Sequence, residues 1–196
     1  MQVATESLSE ANVHYTNYFL DRISQLDCTT LYFFYESSVI ITSGNHVYGN
    51  SYLGEPAIEL QKYASKANYT LNLLHSMHGV DYYNILLGPS NGMEMLNFFD
   101  EALAVDRVDG SPILEHGDCV VMDNCRFHHG PVAEPLLRDI LQEHGINLLF
   151  QPVYSPHLNT CEFYFNQVKC YLKQNTALTV NETEIAIGKA VSKISA

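Results

Sequence analysis

Basic residues are scarce in this chain. Ten Lys and Arg stand against 22 Asp and Glu in 196 residues, a formal net charge of −12 at pH 7. Neutralisation of phosphates by Lys and Arg supplies most non-specific affinity for nucleic acid. A generally adhesive nucleic-acid binder is therefore excluded, and any DNA contact has to be local or metal-mediated. The five cysteines, Cys28, Cys119, Cys125, Cys161 and Cys170, are odd in number and form no CxxC pair. That pattern suits reduced thiols better than a disulfide framework and offers no zinc site. No run of about 18 apolar residues occurs, and no basic stretch followed by an apolar one opens the sequence, so a soluble, intracellular protein with no membrane partner is expected. Internal repeats, low-complexity tracts and long Pro/Gly/Ser linkers are also lacking.

What is present is enough for one good core: 46% of the residues are hydrophobic, and a chain of this length is most simply one domain with an appended helix. Residues Ser9–Leu26 place Tyr15, Tyr18, Phe19, Ile23 and Leu26 on a helical stripe. Leu31–Tyr35 reads as an aromatic strand, continued by the β-branched run Val39–Thr42 before a Ser43-Gly44-Asn45 turn. Tyr69–Met77 and Tyr83–Leu87 flank a His78-Gly79 break, which predicts an antiparallel meander. Met93–Ala104 is helical by its Leu96, Phe99 and Leu103, as is the segment with Val132, Leu136, Leu137, Ile140 and Leu141. Cys119–Met122 and Ile146–Phe150 are short apolar strands. This order predicts an α/β fold, a mixed sheet with helices on its faces. It is the order of an RNase H-like architecture of five strands.

Two strings carry the chemistry. In VVMDN, Asp123 ends a buried-type strand, and its carboxylate should project from the C-terminal sheet edge, where open α/β sheets bind ligands. In YSPHLNTCE, Glu162 follows a turn and opens a helix, a position that favours an acid. The stretch between them could bring both to one edge.

Taken with their surroundings, EHGDCVVMDNCRFHHG and GINLLFQPVYSPHLNTCEFYFNQVK, the two strings resemble the catalytic core of mariner-superfamily DDE transposases and their bacterial insertion-sequence relatives. GNHVYGNSYLG, YTLNLLHSMHGV and LLGPSNGMEMLNFF resemble upstream segments of that core in the same order. The likeness runs from about Tyr15 to Thr176. It implies an N-terminal helix over residues 1–28 leading into the core, a DDE domain over 29–176 and a C-terminal helix over 177–196. It further implies metal-dependent DNA cleavage and strand transfer, with two magnesium or manganese ions held by three acids. Carboxylates suit such ions, and two metals can clamp the attacking and leaving oxygens of an in-line displacement. Asp123 and Glu162 match the second and third acids, separated by the 38 positions 124–161, slightly more than the usual spacing and the mark of a divergent branch. DNA, as transposon ends or target, and a second copy of the chain in a homodimer are the implied partners. A nuclear location is implied for a eukaryotic source, and a cytoplasmic one otherwise.

The first acid is where the chain departs from the family. LYFFYESSV puts Tyr35 at the position of the first Asp, followed by Glu36. Residues alternate faces along a strand, so Tyr35 shares a face with Phe33 and Glu36 one with Phe34. Glu36 can substitute only through a bulge or register slip. A phenol with an ordinary pKa near 10 is a poor magnesium ligand, so impaired catalysis is expected. The alternative is a catalytically inactive, transposase-derived module that binds DNA or protein. His157 stands where the family commonly has another Asp.

His128 and His129 can be read as groups orienting a phosphate or a neighbouring side chain, or as structural histidines. The His75-x-x-His78 spacing resembles a metal motif, but residues three apart in a strand face opposite ways. Glu162, Asn166, Lys169 and Lys173 share one helix face, which is either a track for a DNA backbone or a solvated surface. The family's usual N-terminal helix-turn-helix modules find no counterpart here, which suggests a fragment of a larger product or a decayed or co-opted descendant.

Overall fold

The structure is a computed structural model that describes residues 9–40, 49–58, 68–153, 155, 158 and 160–194. His157, most of the GNHVYGN string and the end of the Val39–Thr42 run lie outside the described residues.

Helix α1 spans Glu10–Ser24, with Ser9 as its N-cap accepting from the Asn12 amide. Strand β1 follows over Leu31–Ile40, then β2 over Asn68–Ser76 and β3 over Gly79–Leu87. β1 and β2, and β2 and β3, pair antiparallel, as the meander expectation requires. Gly79 at φ +116° makes the tight hairpin between β2 and β3 possible, since L side chains rarely adopt that conformation. Helix α2 occupies Gly92–Ala104, capped by Asn91, whose side chain accepts from the amides of Met93 and Glu94.

Strand β4, Cys119–Met122, lies parallel to β1 on one side and to β5, Asn147–Phe150, on the other. All four of its residues are buried. A parallel strand covered on both faces has no wet side, so it reads as an unbroken apolar run. Helix α3, Ala133–Glu143, connects the two. The five-stranded order β3-β2-β1-β4-β5 is the mixed sheet expected.

Alternation along β1 divides the core in two. Tyr32, Phe34 and Leu74 face α2 and α3, joining Met95, Phe98, Phe99, Leu137 and Leu141. Leu71, Leu73 and Val39 face the other side, against Phe165, Val168 and Leu172 of α4, Cys161–Gln174. Phe19 of α1 covers Leu31, Cys119 and Val121 on that second side. Each such large side chain contributes roughly 1.5–3 kcal/mol on burial. In α3 the buried stripe is Leu137 and Leu141, whereas Val132 and Leu136 are exposed.

The C-terminal region differs from the single helix expected over 177–196. It forms two helices, α5 over Thr176–Asn181 and α6 over Thr183–Ile194. Thr183 Oγ1 donates back to the Thr179 carbonyl across the break. α6 is no appendage: Ala186, Ile187, Ala190 and Val191 are buried in the same cluster as α4.

Candidate functional site

Asp123 is the first residue beyond β4, and Glu162 lies in the first turn of α4. Tyr35, in β1, ties the two together. Its ring sits 5.9 Å from Phe165 of α4. Burial, then the charges of Asp123 and Glu162, push its phenol up to about 12. Both acids therefore act electrostatically on one side chain, and that side chain is neutral at physiological pH. Burial pushes the Cys161 thiol well up, which makes it an unreactive packing group.

Glu36 faces the opposite side of the sheet. The β1–β2 register runs without interruption from Phe33↔His75 to Ile40↔Asn68, so the bulge that would turn Glu36 towards the metal position is not there. Its Oε1 accepts from Ser90 Oγ at 2.9 Å, and its Oε2 lies 2.9 Å from His128 Nε2. The other ring nitrogen of His128, Nδ1, donates to the Asp123 carbonyl oxygen at 3.2 Å and stands 2.8 Å from Asp123 Oδ1. Oδ1 is thus ion-paired with the ring, although the N–H is aimed mainly at the carbonyl. Burial opposes charging of this imidazole, but hydrogen bonds to Asp123 and Glu36 and the charges of both carboxylates outweigh it, raising its pKa to about 10. His128 is thus a buried imidazolium. It has no exposed side-chain surface, so it orients a neighbouring side chain and not a phosphate at the surface.

His129 repeats the arrangement one residue on, touching Asn124 Oδ1 at 2.7 Å and Glu134 Oε2 at 2.8 Å. Glu134 is held in turn by a two-pronged contact from Arg138. The adjacent pair Asp123-Asn124 is therefore latched by the adjacent pair His128-His129.

His75 is buried and is no metal ligand. Its Nδ1 donates to the Ser76 carbonyl, and its Nε2 accepts from Thr160 Oγ at 2.9 Å. Burial depresses its pKa and favours the neutral ring this pattern needs. Thr160 precedes α4 and makes no side-chain cap bond, because its hydroxyl is turned to His75. His75 thereby helps to fix the start of the helix that carries Glu162. Neither this role nor that of Ser90 has a signal in the sequence, since both depend on contacts between residues distant along the chain. Asn166 and Lys173 are exposed and Lys169 is half-buried, on the same side of α4 as Glu162.

These groups fit a paired-metal centre poorly. Asp123 and Glu162 supply carboxylate oxygens, and the buried, unbonded Oδ1 of Asp123 is an atom a cation would satisfy. Yet among the described residues no group of three His, Cys, Asp or Glu is placed to hold a metal ion. The phenol of Tyr35 adds no charge, and the His128 imidazolium already stands beside Oδ1. Among the described residues, no helix is long and apolar enough to cross a membrane.

The DDE superfamily endonuclease family matches residues 30–184. No curated protein sequence matches the chain. Among solved structures, the Mos1 transposase paired-end complex with left transposon end is similar over 100% of this chain and 62% of that one, at 16% identity and TM-score 0.61. A pre-cleavage Mos1 transpososome is similar over 100% and 65%, at 15% identity and TM-score 0.61. The catalytic domain of Mos1 mariner transposase is covered over 97% of its length, at 14% identity and TM-score 0.54. The chain spans about three fifths of the length of the Mos1 chains in the first two complexes. The fold is the RNase H-like one of these catalytic domains.

Proposed function

The chain belongs to the DDE superfamily endonuclease family, and from that premise we propose that it is a mariner-type transposase core that engages DNA through a phosphodiester-cleaving centre left incomplete by Tyr35. The placement of Asp123 at the end of β4 and Glu162 in the first turn of α4, with Tyr35 of β1 packed against that helix, carries this reading. Magnesium or manganese would find only Asp123 and Glu162 as carboxylate ligands here. Two carboxylates hold such an ion less firmly than three, because these cations bind through charged oxygen donors.

The remaining side chains take positional roles in this reading. Asn166, Lys169 and Lys173 lead away from Glu162 along α4 and offer a short track for a DNA backbone on an otherwise acidic protein. A local track of this kind suits DNA delivered by another recognition element, either transposon ends or target. Homodimer formation and a nuclear location in a eukaryotic host belong to the same proposal. Complexes of Mos1 solved with manganese and with magnesium support the choice of ion.

The deciding assay is nicking of supercoiled plasmid in magnesium or manganese by the chain, by Asp123→Ala, by Tyr35→Asp, and by Tyr35→Asp combined with Asp123→Ala. Nicking gained by Tyr35→Asp and lost in the double variant is the expected result. Nicking by the parent chain that Asp123→Ala abolishes would show that the centre works without a first Asp. No nicking by Tyr35→Asp would favour the alternative, a binding module with no cleavage centre to restore.

A further inference from the structure

The parallel ladder between β1 and β4 ends at Phe34↔Met122. Asp123 lies one residue beyond that last pair. Side chains take over at this point. Glu36, 9% exposed, and His128, fully buried, meet at 2.9 Å, and the far side of the same ring reaches Asp123. A carboxylate so far removed from water is strongly disfavoured unless paired. Ser90 and His128 together provide that pairing. An imidazole is planar and rigid with its two nitrogens on opposite edges, so fixing the Nε2 edge fixes where the Nδ1 edge can lie.

We propose that Glu36 is a positioning residue for Asp123, acting through His128. Ser90 orients Glu36, Glu36 orients the ring, and the ring holds the backbone carbonyl and carboxylate of Asp123 at the end of β4. Outer partners of this kind govern how well a carboxylate is presented to its ligand. The clamp gives Glu36 a task of its own beside Tyr35: it serves Asp123 and is not a spare ligand. Its meaning for catalysis rests on the reading above, in which Asp123 is the central acid.

NMR of the full chain tests the clamp without any need for activity. The side-chain carboxyl carbon of Asp123 and the amides of Asn124 and Cys125 are followed in the parent, Glu36→Gln, His128→Asn and the double variant. Glu36→Gln is expected to shift these signals although it does not touch them, and to shift them no further once His128 is replaced. Glu36→Asp, which keeps the charge, should return them part of the way. Signals indifferent to Glu36→Gln, or shifted equally with and without His128, would overturn the proposal. Should Glu36→Gln lose its dispersed spectrum, Glu36→Asp is judged by the same criterion. Failure of Tyr35→Asp to nick DNA would defeat the functional reading, while these resonances still decide the clamp.

Discussion

Tyr35 and Glu36 are neighbours in β1, yet they serve opposite faces of the sheet: Tyr35 packs against Phe165 of α4, and Glu36 meets His128 beyond β4. The strand pleat enforces this separation. In the proposed reading the position of a first acid is thereby filled by a neutral, half-buried phenol, while the carboxylate next to it is engaged with His128.

The His128 imidazolium makes stability depend on pH. Its folded pKa is raised to about 10, against about 6.5 in an unfolded chain. A raised pKa stabilises the fold fully below the unfolded value, and that contribution is lost as pH rises through the folded one. Urea unfolding should therefore show stability falling between about pH 6.5 and 10, by an amount on the order of a few kcal/mol. In His128→Asn the fall over that window should be much shallower; an equally steep fall would remove His128 as its source.

Gly92 opens α2 where α3 comes close. A Cβ there would stand 2.7 Å from the Ala133 Cβ, nearer than real contacts allow. Helix propensity alone would favour Ala over Gly by about 1 kcal/mol, but overpacking of this kind costs about 1–3 kcal/mol. Gly92→Ala should be net destabilising in thermal unfolding; an unchanged or higher midpoint would mean that the helices separate freely.

Arg107 fastens the segment after α2 to the sheet. It donates to Tyr32, to Asp81 and to the carbonyls of Pro112 and Ile113. Asp81 is buried, and its Oδ2 has no hydrogen-bond partner. Arg107→Ala strands that carboxylate, and breaking a buried pair costs about 3–5 kcal/mol. Because Arg107 is itself about one third exposed, solvent screening lowers the expected cost to about 2–3 kcal/mol. Arg107→Lys should recover little of it, since one ammonium cannot reproduce the guanidinium fork. Chemical denaturation of both variants measures this directly.

Lys169 and Lys173 bear on the DNA track. Charge reversal at both should weaken binding to duplex DNA and flatten the plot of log affinity against log salt, by about one in slope for each phosphate that a lysine had neutralised. Affinity and salt slope both unchanged would leave these lysines as a solvated helix face.

Much of the fold was legible because periodicity survives wherever one side of an element is dry. Phe19 of the α1 stripe, the aromatic β1, the buried β4 and the break before Gly79 stand where the pattern put them, whereas Tyr18 of that stripe is half exposed and Leu26 lies beyond the helix. The break between α5 and α6 was hidden, because Thr179 and Thr183 stabilise it through buried hydroxyl bonds that polar residues do not announce in sequence. Val132 and Leu136 misled in the other direction, as apolar residues on a helix face that the core does not cover.

Local pattern along the chain was sufficient for the family, for the strand end that carries Asp123 and the helix start that carries Glu162, and for the opposite facing of Tyr35 and Glu36. Those follow from short motifs and from the two-residue pleat. It took the folded chain to make His128 a buried bridge rather than a surface group, to commit Glu36 to it, and to set His75 against the start of α4. Each of these depends on pairing a polar atom with a partner many residues away, within a core where leaving that atom unpaired would cost more than any local preference supplies.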